Sequence, residues 1–578
     1  MNQINTKKLL LENWATELFL AALLLLNFLF FNVLFSTFLF IFKVSIWKYT
    51  SVLSFFMTIV IQLLILKKYQ KLNGKSIIIT IIIPISLIIA FIFVSGKIID
   101  DTFDGNSYQK ATVGLLANGW NPVYEYIEDF ENDFHIHDES PLYMNHYAKG
   151  ANIYAANIYK LTGNIETGKS QNAISLIAVF LFTMSLLMYQ HQNIFFTLLF
   201  SLCVVTYPVA VAQVFNNYID IFTYVYLYLT IYSFFLLEEK KSGIGRMLKL
   251  MVFGEVLVLA INVKFSLFGY VGLYCLGYYI WYICRFIKKK IDKKFFVEIS
   301  LTAMIAVLIG VFVVGLSVYP KNYWKKGHPF YPLMGKEKID IMTMNQPDYF
   351  KEKSPLEKFM IATFSKVANI IEISHEEAEW KIPFSIHQEE LWHLRAADTR
   401  ISGNGVWFGG ILIISFMIIV LQLKSVKEIL CFIPIGITLV MIPLFSEAWY
   451  ARYFPQVYFL VLFAVLFLNK NRQKWMKVMK YILMIMILIN NSITGIQVLK
   501  NVYEKNKEYR KEFAIFDAQN LERGGDLYID TLSYHGAKFN ILDRYGEQYH
   551  MIFGTSMPNL ENTDNHFFGG KVIWRYEK

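Results

Sequence analysis

Residues 76–104 read SIIITIIIPISLIIAFIFVSGKIIDDTFD. From Ser76 to Gly96 no residue is charged, and then Lys97, Asp100, Asp101 and Asp104 follow in quick succession. An uninterrupted apolar run of about 20 residues is what an α-helix needs to cross a bilayer. The abrupt return of carboxylates marks where such a helix leaves it. Blocks of the same kind recur along the chain, near 17–42, 50–66, 173–189, 194–212, 218–237, 249–263, 265–284, 296–318, 406–423, 428–446, 453–469 and 481–497. With 76–96 they predict about thirteen spans. The blocks are continuous rather than alternating, so helices rather than a closed barrel satisfy the backbone in lipid. The seventh is short and ends in Asn262-Val263-Lys264, which reads as a broken or re-entrant element. The fold class is therefore all-α and polytopic, with interfacial helices in the external loops and a small C-terminal α/β segment.

Composition agrees. Of 578 residues, 55% are hydrophobic and only 17% charged, whereas soluble domains run near 25% charged. The net charge of +10 does not point to nucleic acid, because the basic residues sit in short turns between spans. Lys67, Lys68, Lys71 and Lys75 follow the second span, Lys240, Lys241 and Arg246 the sixth, and Lys288, Lys289 and Lys290 the eighth. All lie on one side if the N-terminus is cytoplasmic, as basic loops favour. The run Lys500–Lys511 would then lie outside, in a long tail where charge predicts poorly. The first apolar run is too long for a signal-peptide core. Cys203, Cys275, Cys284 and Cys431 fall in or beside apolar blocks and form no disulfide or zinc pattern.

The layout is then 1–96, N-terminal spans; 97–172, a first large external loop with acidic residues; 173–318, central spans; 319–405, a second external loop; 406–497, C-terminal spans; and 498–578, an external tail or small domain. The location is a cell membrane, crossed many times, with the C-terminus extracellular.

The carboxylates of the first loop are the leading candidates for chemistry. A carboxylate at an apolar boundary loses solvation, which raises its pKa toward that of a useful general base. Asp101 and Asp104 are three apart and share a face if the segment is helical. Asp100, Asp101 and Asp104 are equally consistent with acidic caps of a helix start. Tyr108–Leu116 reads as an amphipathic interfacial stretch, and His146 and Lys149 are either head-group contacts or ordinary surface residues.

The segment Asp104-Gly-Asn-Ser-Tyr108, a few residues past a span and opening a loop, resembles the GT-C superfamily of integral membrane glycosyltransferases. The likeness covers roughly residues 76–470. It implies a polyprenyl-phosphate sugar donor and an acidic residue of the first external loop that acts as base or positions the acceptor, Asp104 first and Asp101 next. The chain departs from that pattern in having two further spans before the loop and Asp-Gly where Asp-Glu is usual. Glu447-Ala-Trp-Tyr-Ala-Arg-Tyr-Phe-Pro455 is similar to the family's late Arg-Tyr-x-x-Pro element, which makes Arg452 a clamp for the lipid phosphate. An interfacial anchor is the other reading. Lys264, in its broken apolar stretch, either binds donor phosphate or snorkels to the surface.

Lower-ranked substrate contacts are His328 and Tyr331 in the turn Gly327–Met334, Arg400 beside Asp398, and Glu447. Asn216, Asn217 and Asp220 lie at another external mouth and are left open. No cofactor is expected, although a divalent cation shared by Asp101 and Asp104 stays open. The expected function is transfer of a sugar from polyprenyl phosphate to a hydroxyl of an external glycan, lipid or polymer. The partners are that donor, the acceptor and membrane lipids, with no nucleic acid. The alternatives are a transporter or flippase of lipid-linked saccharides, or a glycan polymerase or ligase.

Overall fold

The computed structural model describes residues 2–69, 71–130, 136, 140–371, 373, 374, 376–423, 429–470, 473–520, 526–546, 550–553 and 566–576. Every expected span falls on a helix, but their lengths differ. Among the described residues, eight helices are long and apolar enough to cross a membrane. Ile194–Val205, Phe408–Gln422, Ile429–Met441 and Gln456–Lys470 are shorter apolar helices. The seventh expected span is the helix Arg246–Ile261, and the next helix, Phe265–Ile287, starts after a break at 262–264. The break is pinned: Asn262 Nδ2 donates to the Val258 and Gly310 carbonyls, and Gly150 N donates to Asn262 O at 2.7 Å.

The first helix, Asn2–Ile41, is the spine of the bundle. It lies along Ser170–Tyr189, where Phe19 meets Phe182 edge-on at 5.5 Å and Ser185 Oγ donates to Ala15 O at 2.7 Å. Many of the polar groups buried between these helices find partners within the bundle, which lowers their cost in lipid. Gln62, for example, donates to the Leu20 and Thr80 carbonyls. The short turns meet at one end, where Gly245 N donates to Tyr69 Oη and Arg285 pairs with Glu238. The two large loops and the tail meet at the other.

There they form one cap. Lys321 Nζ ties the second loop to the first through the Pro122 and Glu125 carbonyls, at 2.8 and 2.7 Å. The last apolar span does not stop near 497. It continues as a single helix, Lys474–Asn520, of 47 residues, about 70 Å long at 1.5 Å per residue. Beyond it stands a four-stranded sheet, ordered His550–Phe553, Asp526–Asp530, Val572–Tyr576, His566–Phe567. The first two of these strands are parallel, with the helix Ala537–Tyr545 between them in the chain, as a parallel connection requires. Residues 521–525, 547–549 and 554–565 of the expected tail domain lie outside the described residues.

The tail sits on the first loop. Phe539 packs so closely over Gly114 that a Cβ there would stand 2.2 Å from its ring. Gly536 N donates to Asn106 O at 2.6 Å, and Asp543 accepts from Tyr159 Oη and Ile165 N at 2.6 and 2.7 Å. The stretch expected as an amphipathic surface helix is therefore interior: every residue of Lys110–Ala117 is buried. Tyr319–Lys326 fits the interfacial description better, with Tyr323 and Trp324 exposed at the loop end of a span.

Under the tail, Glu166 joins two fully buried ammonium groups, Lys110 at 2.8 Å and Lys169. Asn540 also bonds both Glu166 and Lys110, at 2.8 Å each. Glu166→Gln leaves two buried cations bonded only to neutral acceptors, and losing one partner of such a network costs about 3–5 kcal/mol. The variant is expected to melt well below wild type in detergent and to expose the tail to limited proteolysis.

Candidate functional site

The site is a cavity of about 640 Å³ under the cap, at the loop ends of the spans. Its charged side chains come from five separate segments. Asp104 arrives first. Asp100 is buried and accepts four hydrogen bonds, from Thr102 N, Thr102 Oγ1, Asn217 N and Asn217 Nδ2, at 3.0, 2.7, 2.8 and 2.8 Å. This knots the chain into a sharp return. A Cβ at residue 105 would stand 2.4 Å from Asp100 Oδ2 and 2.3 Å from Thr102 Oγ1, so only glycine fits after Asp104. The chain then winds as a π-helical turn, Gly105–Gln109, which places Asp104, Ser107 and Tyr108 on the cavity wall. Such turns are frequent at functional sites.

Asp220 opens the helix Asp220–Glu238, and Lys264 is the residue immediately before Phe265–Ile287. Lys264 Nζ lies 2.5 Å from Asp220 Oδ1 and 4.2 Å above the Tyr453 ring. Arg452 comes from the turn between two C-terminal spans and is the hub. Its Nη2 donates to Asp104 Oδ2 at 2.7 Å, its Nε lies 3.3 Å from Asp220 Oδ2, and its Nη1 lies 3.8 Å from Asp398 Oδ2. Tyr218, Tyr450 and Tyr453 surround the guanidinium at 4.8–5.4 Å from their ring centres, the distance range of cation–π contacts. Arg400 completes the rim and donates to Asn345 O at 2.7 Å.

Two features favour an anion here in spite of the three carboxylates. The positive ends of two long helices, Asp220–Glu238 and Phe265–Ile287, open onto the cavity. Ser266, in the first turn of the second, lines the cavity and its hydroxyl has no hydrogen-bond partner among the described residues. The opposite wall is apolar: Phe265, Gly269, Phe330, Leu333 and Phe445. Burial pushes the Asp104 carboxyl above the usual aspartate range, helped by Asp398 and Asp220 and opposed by Arg452. Burial likewise holds the Lys264 ammonium below its ordinary value despite Asp220.

Of the residues singled out from sequence, Asp104, Tyr108, Lys264, Arg400 and Arg452 meet in this cavity. The others do not line it. Asp100 is the knot that shapes the turn. Asp101 faces the tail and accepts from Tyr509 Oη at 2.9 Å; burial and Asp100 raise its carboxyl. Asp101 and Asp104 turn to different partners, Tyr509 and Arg452. Among the described residues no group of three or more His, Cys, Asp or Glu side chains is arranged to hold a metal.

His146 and Lys149 are internal struts. His146 Nδ1 is 2.7 Å from Asn322 Oδ1 and its ring stands against Tyr331 at 4.7 Å. Burial pushes the His146 imidazole down to about 4. Lys149 donates to the Asn145 and Tyr147 carbonyls, both at 2.9 Å. His328 Nδ1 accepts from Phe330 N at 3.1 Å, and Glu447 accepts from Ser446 Oγ. Asp220 and Asp398 were left open by the sequence, yet they hold the two central cations. An aspartate at the first position of an apolar helix looks like a dipole partner, which conceals a second role.

No family model and no curated protein matches the chain. Among solved structures, it is similar to ArnT from Cupriavidus metallidurans bound to undecaprenyl phosphate, at 10% identity, over 81% of this chain and 84% of that one, with a TM-score of 0.45. It is also similar to the apo state of the same protein, at 11% identity, over 82% and 85%, with a TM-score of 0.41.

Proposed function

We propose that this chain is a membrane glycosyltransferase that moves a sugar from a polyprenyl-phosphate donor to an acceptor hydroxyl. The supporting observation is a cavity that sets two cations and a partly buried carboxylate, Asp104, against an apolar wall, where the spans end. A lipid phosphate has both halves of that chemistry. Its phosphate is met by Arg452, Lys264 and the first turn at Ser266, and its first isoprene units by Phe265, Gly269, Phe330 and Phe445. Nη1 is the arm of Arg452 with the longest carboxylate contact, at 3.8 Å from Asp398, and is the arm offered to a phosphate oxygen.

In the reaction, the acceptor O–H attacks the anomeric carbon while the bond from that carbon to phosphate oxygen breaks. The proton goes to Asp104, and the electron pair leaves with the lipid phosphate. Arg452 and Lys264 meet the charge that develops there, an effect strengthened in a water-poor site. The cavity faces the exterior if the basic turns are cytoplasmic, so the acceptor is an external glycan, lipid or polymer.

The test is reconstitution of the purified protein in liposomes with a radiolabelled polyprenyl-phosphate sugar and a candidate acceptor pool. A new glycosidic product that disappears in Arg452→Gln is the expected result. Movement of intact donor between leaflets with no new bond formed would replace the transferase by a flippase.

A further inference from the structure

A second groove lies outside the cap and away from the cavity. It has a volume of about 740 Å³ and runs between the end of the third span and the extension of the last helix. The helix contributes residues 499, 502, 503, 506, 507, 510, 511 and 514. That spacing, three and four apart throughout, is one continuous helix face. The face is graded. Toward the span it carries Leu499 and Tyr503, exposed at 54% and 70%, opposite Phe93 at 65%. Farther out it carries Lys507, Arg510 and Lys511, with Lys97 across the groove. Arg510 Nη2 donates to Lys97 O at 3.2 Å, which joins the two walls, and Lys97 Nζ lies 5.2 Å from the Phe93 ring centre.

Among the described residues, no acidic one lines the groove. The carboxylates of this helix lie on its other faces and are engaged there. Glu504 pairs with Arg395 and Lys500 at 2.9 and 3.9 Å, Glu508 pairs with Lys505 at 2.9 Å, and Glu512 accepts from Gly569 N at 2.9 Å. Lys97, Lys507, Arg510 and Lys511 make no ion pair among the described residues. Like charges four apart on a helix repel. Gathering the unpaired cations on one face, next to exposed apolar side chains at the end of a span, leaves that face complementary to an anionic amphiphile.

We infer that this groove is a binding site for an anionic glycerophospholipid of the surrounding bilayer. Its phosphate sits among Lys97, Lys507, Arg510 and Lys511, and its acyl chains lie along Phe93 and Leu499. The assignment also explains why the basic run Lys500–Lys511 stands against the charge pattern of the other turns: the groove-facing cations in it answer to a lipid head group. The groove floor is tied to the start of the first loop, where Ile99 N donates to Asn506 Oδ1 at 2.7 Å.

The experiment measures binding of a fluorescent phosphatidylglycerol to the purified full-length protein in phosphatidylcholine nanodiscs. The variants K507Q/K511Q and K500Q/K505Q each remove two positive charges from exposed or part-exposed positions of the same helix. Cations near an anionic surface contribute about 1 kcal/mol each, so K507Q/K511Q is expected to weaken binding roughly thirtyfold. K500Q/K505Q and Arg452→Gln are expected to bind within about threefold of wild type, because neither touches the groove. Equal losses in the two lysine doubles would reduce the effect to net charge and overturn the site. No loss in K507Q/K511Q would overturn it as well.

Discussion

Asp104→Asn is expected to lower sugar transfer by about 10²–10⁴-fold, the usual contribution of a positioned general base, while donor binding stays within a few-fold. The amide keeps an oxygen facing Arg452 Nη2, which now lies 2.7 Å from the carboxylate, so the cavity keeps its shape and loses only the proton acceptor. Asp101→Asn is the matched control. Its carboxylate meets Tyr509 rather than the cavity, so transfer is expected to persist. Burial holds the Asp104 carboxyl above the ordinary aspartate value, which is about 3.9. A base must be ionised, so the rate falls as pH falls through the raised value, and the acid limb of the profile lies above the usual aspartate range. Asp104→Asn should flatten that limb. Single-turnover transfer measured across pH with preloaded donor reads both effects. Near-normal turnover in Asp104→Asn would remove the base from the scheme.

How much of this the sequence could show depends on the range of the interactions. The spans were legible because membrane crossing is written locally, in runs such as 76–96. Asp104, Lys264 and Arg452 stood out for the same reason: each is a charge set where apolar sequence makes it conspicuous. What the sequence hid is long-range. Asp101 and Asp104 are three apart and look like a pair, yet the knot at Asp100 turns them to opposite partners. That knot depends on Asn217, 117 positions away. His146 and Lys149 looked like surface residues because nothing local reveals the second loop that covers them, whose helix Tyr319–Lys326 carries Asn322. The tail gave away its strands and not its seat, since the contact of Gly536 with Asn106 and the packing of Phe539 on Gly114 leave no periodic trace.

Asp220 carries the other large effect. Its side chain is only 2% exposed, and its two oxygens meet Lys264 Nζ at 2.5 Å and Arg452 Nε at 3.3 Å. Asp220→Asn therefore leaves two buried cations side by side, with only Asp104 and Asp398 to answer Arg452 and no carboxylate on Lys264. Breaking a buried pair in this way costs about 3–5 kcal/mol, expected as a large fall in the thermal midpoint in detergent. The loss has a pH signature. Burial already holds the Lys264 ammonium below its ordinary value, and Asp220 is the main influence raising it. Without Asp220 the folded value drops further while the unfolded one stays near 10.4. Between the two, the unfolded chain binds more protons, so stability rises with pH over that window. Asp220→Asn is thus expected to recover part of its midpoint as pH rises toward the ordinary lysine value of about 10.4, and wild type much less. Adding Lys264→Met removes the stranded charge without removing bulk, so the double variant should be more stable than Asp220→Asn alone. It should still fail to hold donor, because the phosphate has lost one of its two cations. A stable, pH-indifferent Asp220→Asn protein would mean that water, rather than Asp220, already compensates Lys264, and that the cation pair is not organised as the cavity suggests.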